Sequence, residues 1–357
     1  MTRLLRYSLL RGLSLFLAVV IAVYLTILIA NMGGEVDKIR ESMVRFEASQ
    51  SITRNPANRG LPMEVILEMI DEEVAQELRR LGMDRPFVVR SFLFLRNAIT
   101  LDLGAAQNML SSTTGSPLVS RIIMERLPQT LLLFGTAQMF LFFFALLMSL
   151  FLSRRYGSFL DRLTIGLAPS SAAPGWFYGI FLIIIFGVWL RVLPVGGYID
   201  SPAPATTIGR SLSILRHLVL PVSAIVIGAL FASIYSWRTF FLIYSSDDHV
   251  ELAKAKGLSS RTVERRHILR PTLPMIVTSF LLLIIGMWMG QIILEQVFMW
   301  PGLGSLLYWA IQAADTAVIV GAVVIFGYLL AGTVFFLDFI YALLDPRIRV
   351  GLAGGDS

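Results

Sequence analysis

Few residues in this chain have the types and spacing that covalent chemistry requires. The three histidines, His217, His249 and His267, form no pair four residues apart, and the chain has no HExxH motif. It has no Cys, which excludes disulfides and thiolate metal sites, and no Ser, His and acid grouping suggests hydrolysis. No GxxxxGK[ST] loop is available to bind ATP. The sequence therefore predicts a protein that is not an enzyme and has no metal site.

Polar residues lie instead within long apolar runs, where ionisable groups are rare and mark function by default. Gln291 and Glu295 are four residues apart, which would place both on one helix face. Two roles stay open for Glu295, a gate on a translocation pathway or a carboxylate that hydrogen-bonds nearby loop glycines. Asp338, three residues before Tyr341, is expected to pair with a basic group. Arg238 is interpreted as a side chain that snorkels to the membrane interface.

The composition indicates the class of protein that holds these residues. The chain has 357 residues, of which 56% are apolar and 15% charged, and its mean hydropathy is +0.73. Such a chain cannot hide its apolar surface in one water-soluble core, so a polytopic membrane protein is predicted. The net charge of +6 does not indicate a nucleic-acid partner, because the charges cluster beside apolar runs, where they set topology.

Six apolar runs are predicted to span the bilayer, in an all-α protein. They cover residues 13–30, 130–152, 163–190, 218–244, 275–297 and 317–344. The first run is too long for the apolar region of a signal peptide and no clear cleavage site follows it, so we expect a retained helix. Arginines before this run and after the last one place both termini in the cytoplasm.

These runs divide the chain into four parts. They are 1–30, a cytoplasmic N-terminus and first span; 31–129, an external and partly helical segment; 130–344, a five-helix core with a cytoplasmic loop at 245–271; and 345–357, a cytoplasmic tail. Within the external segment, apolar residues recur at helical spacing and Gly82 ends the pattern. The repeating residues are Leu67, Ile70, Val74, Leu78 and Leu81. A second helix is predicted over 87–101, and residues 201–216 are predicted to form an external loop.

The stretch from Asp247 to Pro274 is a polar island between two apolar runs. Acids at its start, lysines near the end of its first half and Gly257 predict a short helix that a left-handed residue terminates. Ala253 and Ala255 would leave part of this helix thin enough for another surface to approach. Ser259 or Ser260 can cap a second, basic helix. Charge alone indicates an ordinary cytoplasmic loop.

The residues of this island also resemble a known motif. Ala253-Lys254-Ala255-Lys256-Gly257, with Asp248 ahead and Ile268, Leu269 and Pro274 behind, is similar to the EAA loop of permease subunits of bacterial and archaeal ABC importers. The dipeptide, oligopeptide and nickel permeases resemble it most. Glu251 lies two residues before the first Ala, which departs from the simplest form of the motif.

Further motifs of the same family follow in order along the chain. They are the segment 78–104, Arg126 to Leu131, Leu193 to Gly197, Arg238, the pattern Glu-x-x-Phe-x-x-Pro-Gly-x-Gly from Glu295 to Gly304, Asp338 with Tyr341, and Asp345-Pro346-Arg347. The resemblance implies a type I ABC importer permease fold in the cell inner membrane. It also implies a second permease subunit, two cytoplasmic ATPases that bind ATP and Mg, and an external solute-binding protein.

Roles for individual residues come with this resemblance. The ATPase-coupling residues would be Asp248, Glu251, Ala253, Lys254, Ala255, Lys256 and Gly257; the translocation or gate candidates would be Gln291, Glu295, Pro301, Gly302 and Gly304; and the structural polar residues would be Arg238, Asp338, Tyr341, Asp345 and Arg347. The transported solute differs among family members, which include peptide, nickel and sugar permeases.

Two other functions are weighed against this one. An ion-coupled secondary carrier predicts several acids at mid-span and inverted repeats, and the sequence shows few such acids and no detectable repeat. An intramembrane enzyme needs paired acids, a metal pair or a Ser/His dyad within the spans, and the sequence shows none of them.

Overall fold

Helices account for nearly all of the regular structure in this chain. The computed structural model describes residues 2–31, 35–58, 60–80, 82–83, 86–287, 290–313 and 315–344. Within these ranges the helices are α1 (Thr2–Asn31), α2 (Glu35–Arg54), α3 (Met63–Arg80), α4 (Phe87–Ile99), α5 (Val119–Arg154), α6 (Phe159–Leu167), α7 (Gly175–Leu182), α8 (Thr207–Ser245), α9 (Asp248–Ala255), α10 (Ser260–Val263), α11 (Arg270–Gly286), α12 (Ile292–Val297), α13 (Leu303–Gln312) and α14 (Thr316–Leu344).

Five of the described helices are long and apolar enough to cross a membrane. They contain the candidate spans Leu9–Ile29, Val119–Arg154, Thr207–Ser245, Ser260–Ile284 and Thr316–Leu337. A sixth span results if the bent pair Phe159–Ala172 and Gly175–Trp189 counts as one. The all-α fold and the prediction of about six spans are therefore confirmed.

The bend of 99° in that pair has a local cause. Pro169 and Pro174 lack the backbone N–H that a helix needs, and Ala173, directly before Pro174, is extended (φ −78°, ψ 132°). Residues Ala168–Ala172 form a 3₁₀ turn at this break. The helix resumes at Gly175 and ends in a π-helical segment, Ile183–Trp189.

Three helix boundaries differ from the sequence-based expectation. The predicted span over 275–297 is not continuous, because α11 ends at Gly286 and α12 begins only at Ile292. The predicted loop over 201–216 is largely helical, since Thr206 accepts a hydrogen bond from the Gly209 N–H (3.1 Å) and so starts α8. The second span begins at Val119, eleven residues before Thr130, as Pro128 is accommodated inside α5.

The chain divides into two compact units. One is built mainly from Ile123–Trp309, and the other from Arg6–Ile122 with Ala310–Ala331. In the second unit, α1 buries Val19, Val23 and Ile27 against Ala98 of α4 and Val324 of α14. The four-residue spacing of these three residues places them on one face of α1.

In the first unit, the interior lies where α5, α7, α8 and α12 pack together. Leu133, Ala224, Leu294 and Trp300 are buried at its centre. Helices α7 and α8 approach closely because Gly175 faces the turn from Ala224 to Gly228, where a Cβ on Gly228 would lie 3.0 Å from the Gly175 Cα. Small residues four apart allow helices to approach in this way in membranes.

Helices α2 and α3 form a hairpin with a core of its own. Val44, Ala48 and Ile52 of α2 pack against Ile70 and Val74 of α3. The hairpin therefore buries apolar side chains of both helices in the interface between α2 and α3.

The sequence anticipated only part of this segment. Helix α3 covers the predicted pattern as far as Leu78, Gly82 after it is left-handed (φ +69°), and α4 follows as expected. Leu81, the last member of the pattern, lies outside the described residues. Helix α2 was not predicted.

A polar contact also fixes α2 beside α4. The Arg90 guanidinium donates two hydrogen bonds to the Asp37 carboxylate (3.0 and 2.6 Å). These bonds raise the pKa of Arg90 above its ordinary value.

A charge placed in the hairpin core should open it. We expect Val74→Asp to speed trypsin cleavage after Arg54 in the detergent-purified protein, because Val74 is 4% exposed and an unpaired buried carboxylate costs several kcal/mol. Gln76→Asp, which adds the same charge at an exposed position of α3, is the control. Equal cleavage rates in the two variants would contradict this packing.

Candidate functional site

Helix α9 begins and ends as its sequence predicts. The Asp247 carboxylate accepts a hydrogen bond from the Asp248 N–H (3.0 Å) at the start. At the other end Gly257 is left-handed (φ +73°), its N–H donates to the Lys254 carbonyl (2.9 Å), and the Leu258 N–H donates to the Ala253 carbonyl (3.3 Å). This pair of bonds is a Schellman motif, which fixes where the helix stops.

One face of α9 is buried and the other is free. Val250 and Ala253 are buried against Val263 of α10. On the opposite side Glu251, Leu252 and Ala255 are exposed, and Leu252 is 57% exposed. The expectation that both alanines thin the outer surface is wrong for Ala253, because its methyl group fills the contact with α10. Ala255 alone is on the exposed side.

The segment after α9 continues as one helical path into α11. Ser259, one of the two predicted caps, accepts a hydrogen bond from the Thr262 N–H (3.4 Å) and starts α10. A π-helical stretch, Glu264–Leu269, follows before α11. The arginines predicted along this path are exposed, and they are Arg261, Arg265, Arg266 and Arg270.

A histidine of α9 satisfies a backbone group in this path. Pro271 has no N–H to offer the carbonyl of His267, four residues earlier. The His249 Nε2 donates to that carbonyl instead (2.9 Å). The Arg154 side chain at the end of α5 pairs with Glu264 at the start of the π-helical stretch. Helix α9 and the end of α5 are thus both attached to the same segment.

A second cluster forms around Glu295, which is fully buried. One carboxylate oxygen accepts a hydrogen bond from the Thr130 hydroxyl (3.0 Å) and the other from the Ser305 N–H (2.8 Å). The Thr130 oxygen in turn accepts from the Leu303 N–H (2.7 Å). Glu295 and Thr130 therefore hold the first turn of α13 against α5.

The glycines at the start of α13 leave no room for side chains. A Cβ on Gly302 would lie 2.5 Å from both carboxylate oxygens of Glu295, and one on Gly304 would lie 2.9 Å from the Ile292 nitrogen. Trp300 is fully buried, and its indole N–H donates to the Gln129 carbonyl (2.9 Å). The Glu295 carboxylate, the two glycines and Trp300 are thus tightly packed together, and we call this packing the closed contact.

Gln291 does not share a helix face with Glu295. Its backbone is extended (φ −135°, ψ 102°), since it stands just before α12 as the cap residue. The prediction of a joint polar face was therefore wrong. The two residues are linked through the backbone, as the Glu295 N–H donates to the Gln291 carbonyl (3.0 Å).

Arg238 is buried in a salt bridge and does not snorkel. Its guanidinium pairs with both carboxylate oxygens of Asp161 on α6, and the Nη2–Oδ2 distance is 2.6 Å. Sequence reasoning missed Asp161 as the partner because 77 residues separate the two. The side chains of Asp338 and Tyr341 on α14, and Asp345 and Arg347 as a whole, lie outside the described residues.

A third buried acid, Asp315, also escaped prediction. Its carboxylate accepts hydrogen bonds from the N–H groups of Gln107 (2.8 Å) and Asn108 (2.9 Å), and it precedes α14. The available signal was an acid directly before an apolar run, which is typical of a helix cap. Among the described residues, no group of three or more His, Asp or Glu side chains is arranged to hold a metal ion.

Comparison with known proteins places most of the chain in one family of sequences. Residues 142–350 match the family described as "Binding-protein-dependent transport system inner membrane component". The chain is 31% identical over 311 residues to the di/tripeptide transport system permease protein DppB of Pseudomonas aeruginosa, covering 81% of this chain and 90% of that one. It is 28% identical over 297 residues to the oligopeptide transport system permease protein AppB of Bacillus subtilis, covering 82% and 91%.

The closed contact at Glu295 predicts a sharp response to one added methyl group. We expect Gly302→Ala to lower the thermal midpoint of the purified protein, because forcing a Cβ against the carboxylate costs about 1–3 kcal/mol. Gly166→Ala is the matched control, since a Cβ there meets nothing within 4 Å. A Gly302→Ala midpoint as high as that of the control would show that the loop is not packed as described.

Proposed function

Because the chain belongs to the family of binding-protein-dependent transport system inner membrane components, we propose that it carries peptides or related small solutes through half of an ATP-driven import pathway. The chain is a multi-pass inner-membrane permease subunit of an ABC importer, with the type I fold. The peptide class of solute is the finer proposal. The names of DppB and AppB, a di/tripeptide and an oligopeptide permease, support it.

The exposed face of α9 is the observation that carries the proposed mechanism. An apolar Leu252 beside Glu251 and Ala255, on a helix whose other face is fully packed, suits a rigid body that is pushed from outside. We assign that push to a separate ATPase subunit, which binds ATP and Mg. On this proposal, closure of two such ATPases moves α9, and the solute affinity of the pathway changes with the nucleotide cycle.

The remaining partners are those that the family implies, and the placement of charge supports the side of the membrane on which each would act. The arginines of the α10–α11 segment support a cytoplasmic location for it, and those near both ends of the chain support the same location for the termini. Residues 31–129 then face outward, where a solute-binding protein would deliver its cargo. A second permease chain, related but distinct, would complete the pathway.

The geometry around Glu295 favours an anchoring role over solute contact. Both of its oxygens are engaged by Thr130 and Ser305, and the side chain is closed off from the surface. We propose that Glu295, Pro301, Gly302 and Gly304 set the shape of the loop before α13. The gate role then belongs to the loop as a whole.

The buried acids of the unit built mainly from Ile123–Trp309 give no support to ion-coupled transport. Asp161 is paired with Arg238, and Glu295 is hydrogen-bonded on both oxygens. A carrier that uses acids to bind ions or protons needs them accessible within a cavity.

In proteoliposomes with the partner subunits and binding protein, we expect peptide uptake to require ATP. Uptake driven by an ion gradient without ATP would refute this assignment.

A substitution at the end of α9 should separate ATP hydrolysis from transport. Gly257 is left-handed and a Cβ there meets nothing within 4 Å, so backbone strain is the expected effect of Gly257→Val. A left-handed β-branched residue costs at least about 1–2 kcal/mol. We expect Gly257→Val to reduce both uptake and the stimulation of ATP hydrolysis by loaded binding protein, with membrane insertion intact.

Gly257→Asn is the control for this change, because Asn tolerates the left-handed conformation. Its uptake and stimulated ATP hydrolysis should stay close to those of the unchanged protein. Full coupled uptake in Gly257→Val would argue against α9 as the coupling helix.

A further inference from the structure

The pair formed by Asp161 and Arg238 is the most enclosed ion pair in the described part of the chain. The Asp161 side chain is 1% exposed and that of Arg238 7% exposed. The turn between α5 and α6 holds the acid in place, since the Gly157 N–H donates to its carboxylate (2.9 Å). The Arg238 guanidinium also lies over the Tyr156 ring, 5.2 Å from its centre. The arginine is therefore held by Tyr156 in the turn before α6 and by Asp161 in the first turn of α6.

Such a pair is poorly explained by stability. Removing two charges from water costs much of what their attraction returns, and apolar replacements of similar size are often at least as stable. A buried pair does, however, fix the relative position of the two elements that carry it. Here those elements are α6, which starts at Phe159, and α8, which contains Arg238 near its end at Ser245.

The position of Arg238 on α8 connects this pair to the coupling helix. Helix α9 begins three residues after α8 ends, and the Lys254 ammonium donates to the Ser245 carbonyl (3.3 Å). A displacement of α9 therefore acts directly on the end of α8, about two turns from Arg238.

Asp161, the other member of the pair, lies on α6, the first helix of the bent pair α6–α7. This segment contacts α8 again beyond its proline break, where the Ala232 N–H donates to the Ser171 hydroxyl (3.3 Å) and Gly175 packs against Gly228. The bent segment is thus fastened to α8 at two places, one polar and near α9, the other made by close backbone packing. Loss of the first would leave α6 free to lag behind α8.

We propose that Asp161 and Arg238 are positioning residues for transport, which make α6 move together with α8 when α9 is pushed. This inference rests on the proposed function, in which α9 receives the push of the ATPase. It assigns to the pair control over how much solute is moved per ATP hydrolysed. Neither residue contacts solute or nucleotide on this proposal.

The test uses the complete importer in proteoliposomes, with solute uptake and ATP hydrolysis measured on the same preparation. The informative variant is Asp161→Asn/Arg238→Gln, because it removes both charges and leaves no unpaired one, whereas either single change would strand a buried charge. Arg162→Gln is the matched control, as Arg162 is the exposed neighbour of Asp161 on α6.

We expect the double variant to assemble and to hydrolyse ATP. The amount of solute moved per ATP should fall by a factor of about five or more, as loss of coupling between sites typically produces. Arg238→Lys keeps the charge without the paired contact and should give an intermediate ratio. The control should keep the ratio of the unchanged protein. A role in folding alone would lower the amount of assembled importer without changing this ratio.

Two results would overturn the inference while leaving the proposed function intact. One is an unchanged ratio of solute to ATP in the double variant. The other is failure of that variant to assemble, which would show that the pair is needed for folding. Absence of ATP-dependent uptake in the unchanged importer would instead refute the proposed function itself.

Discussion

Water cannot satisfy a backbone group inside a bilayer, so every break in a helix of this chain must be closed by protein. Several helices end or bend within the fold, and nearby side chains form hydrogen bonds with the backbone groups at these places. Outside the apolar runs, His249 bonds in the same way to the His267 carbonyl, to which Pro271 can offer no N–H. Thr130 and Glu295 accept hydrogen bonds from the Leu303 and Ser305 N–H groups in the first turn of α13. Helices can therefore end or bend within the fold without exposing unpaired polar groups.

The buried acids follow from the same constraint. Asp161, Glu295 and Asp315 each accept a hydrogen bond from a backbone N–H group, and each holds segments that are distant in sequence. Their oxygens are occupied by these structural contacts. This arrangement suits a transporter that takes its energy from a separate ATPase, since no ion or proton has to bind to these carboxylates.

Local features of the sequence were enough to predict much of the fold. Apolar periodicity predicted α3, and the acids before Val250 with Gly257 after it predicted both ends of α9. Contacts between distant segments were not predictable in this way. Nothing in the sequence near Arg238 indicates Asp161, and Asp315 meets the turn at Gln107 across 208 residues. The break before Ile292 was missed because apolar composition continues through it, although the backbone does not stay helical.

The hairpin of α2 and α3 has a different consequence, which concerns how such proteins diverge. Its buried residues, Val44, Ala48, Ile52, Ile70 and Val74, contact one another across a single pair of helices. Mutations that are compensated within this pair leave the spans of the chain untouched. Compensating substitutions within this core would keep the two helices together, while the pair formed by Asp37 and Arg90 still ties α2 to α4.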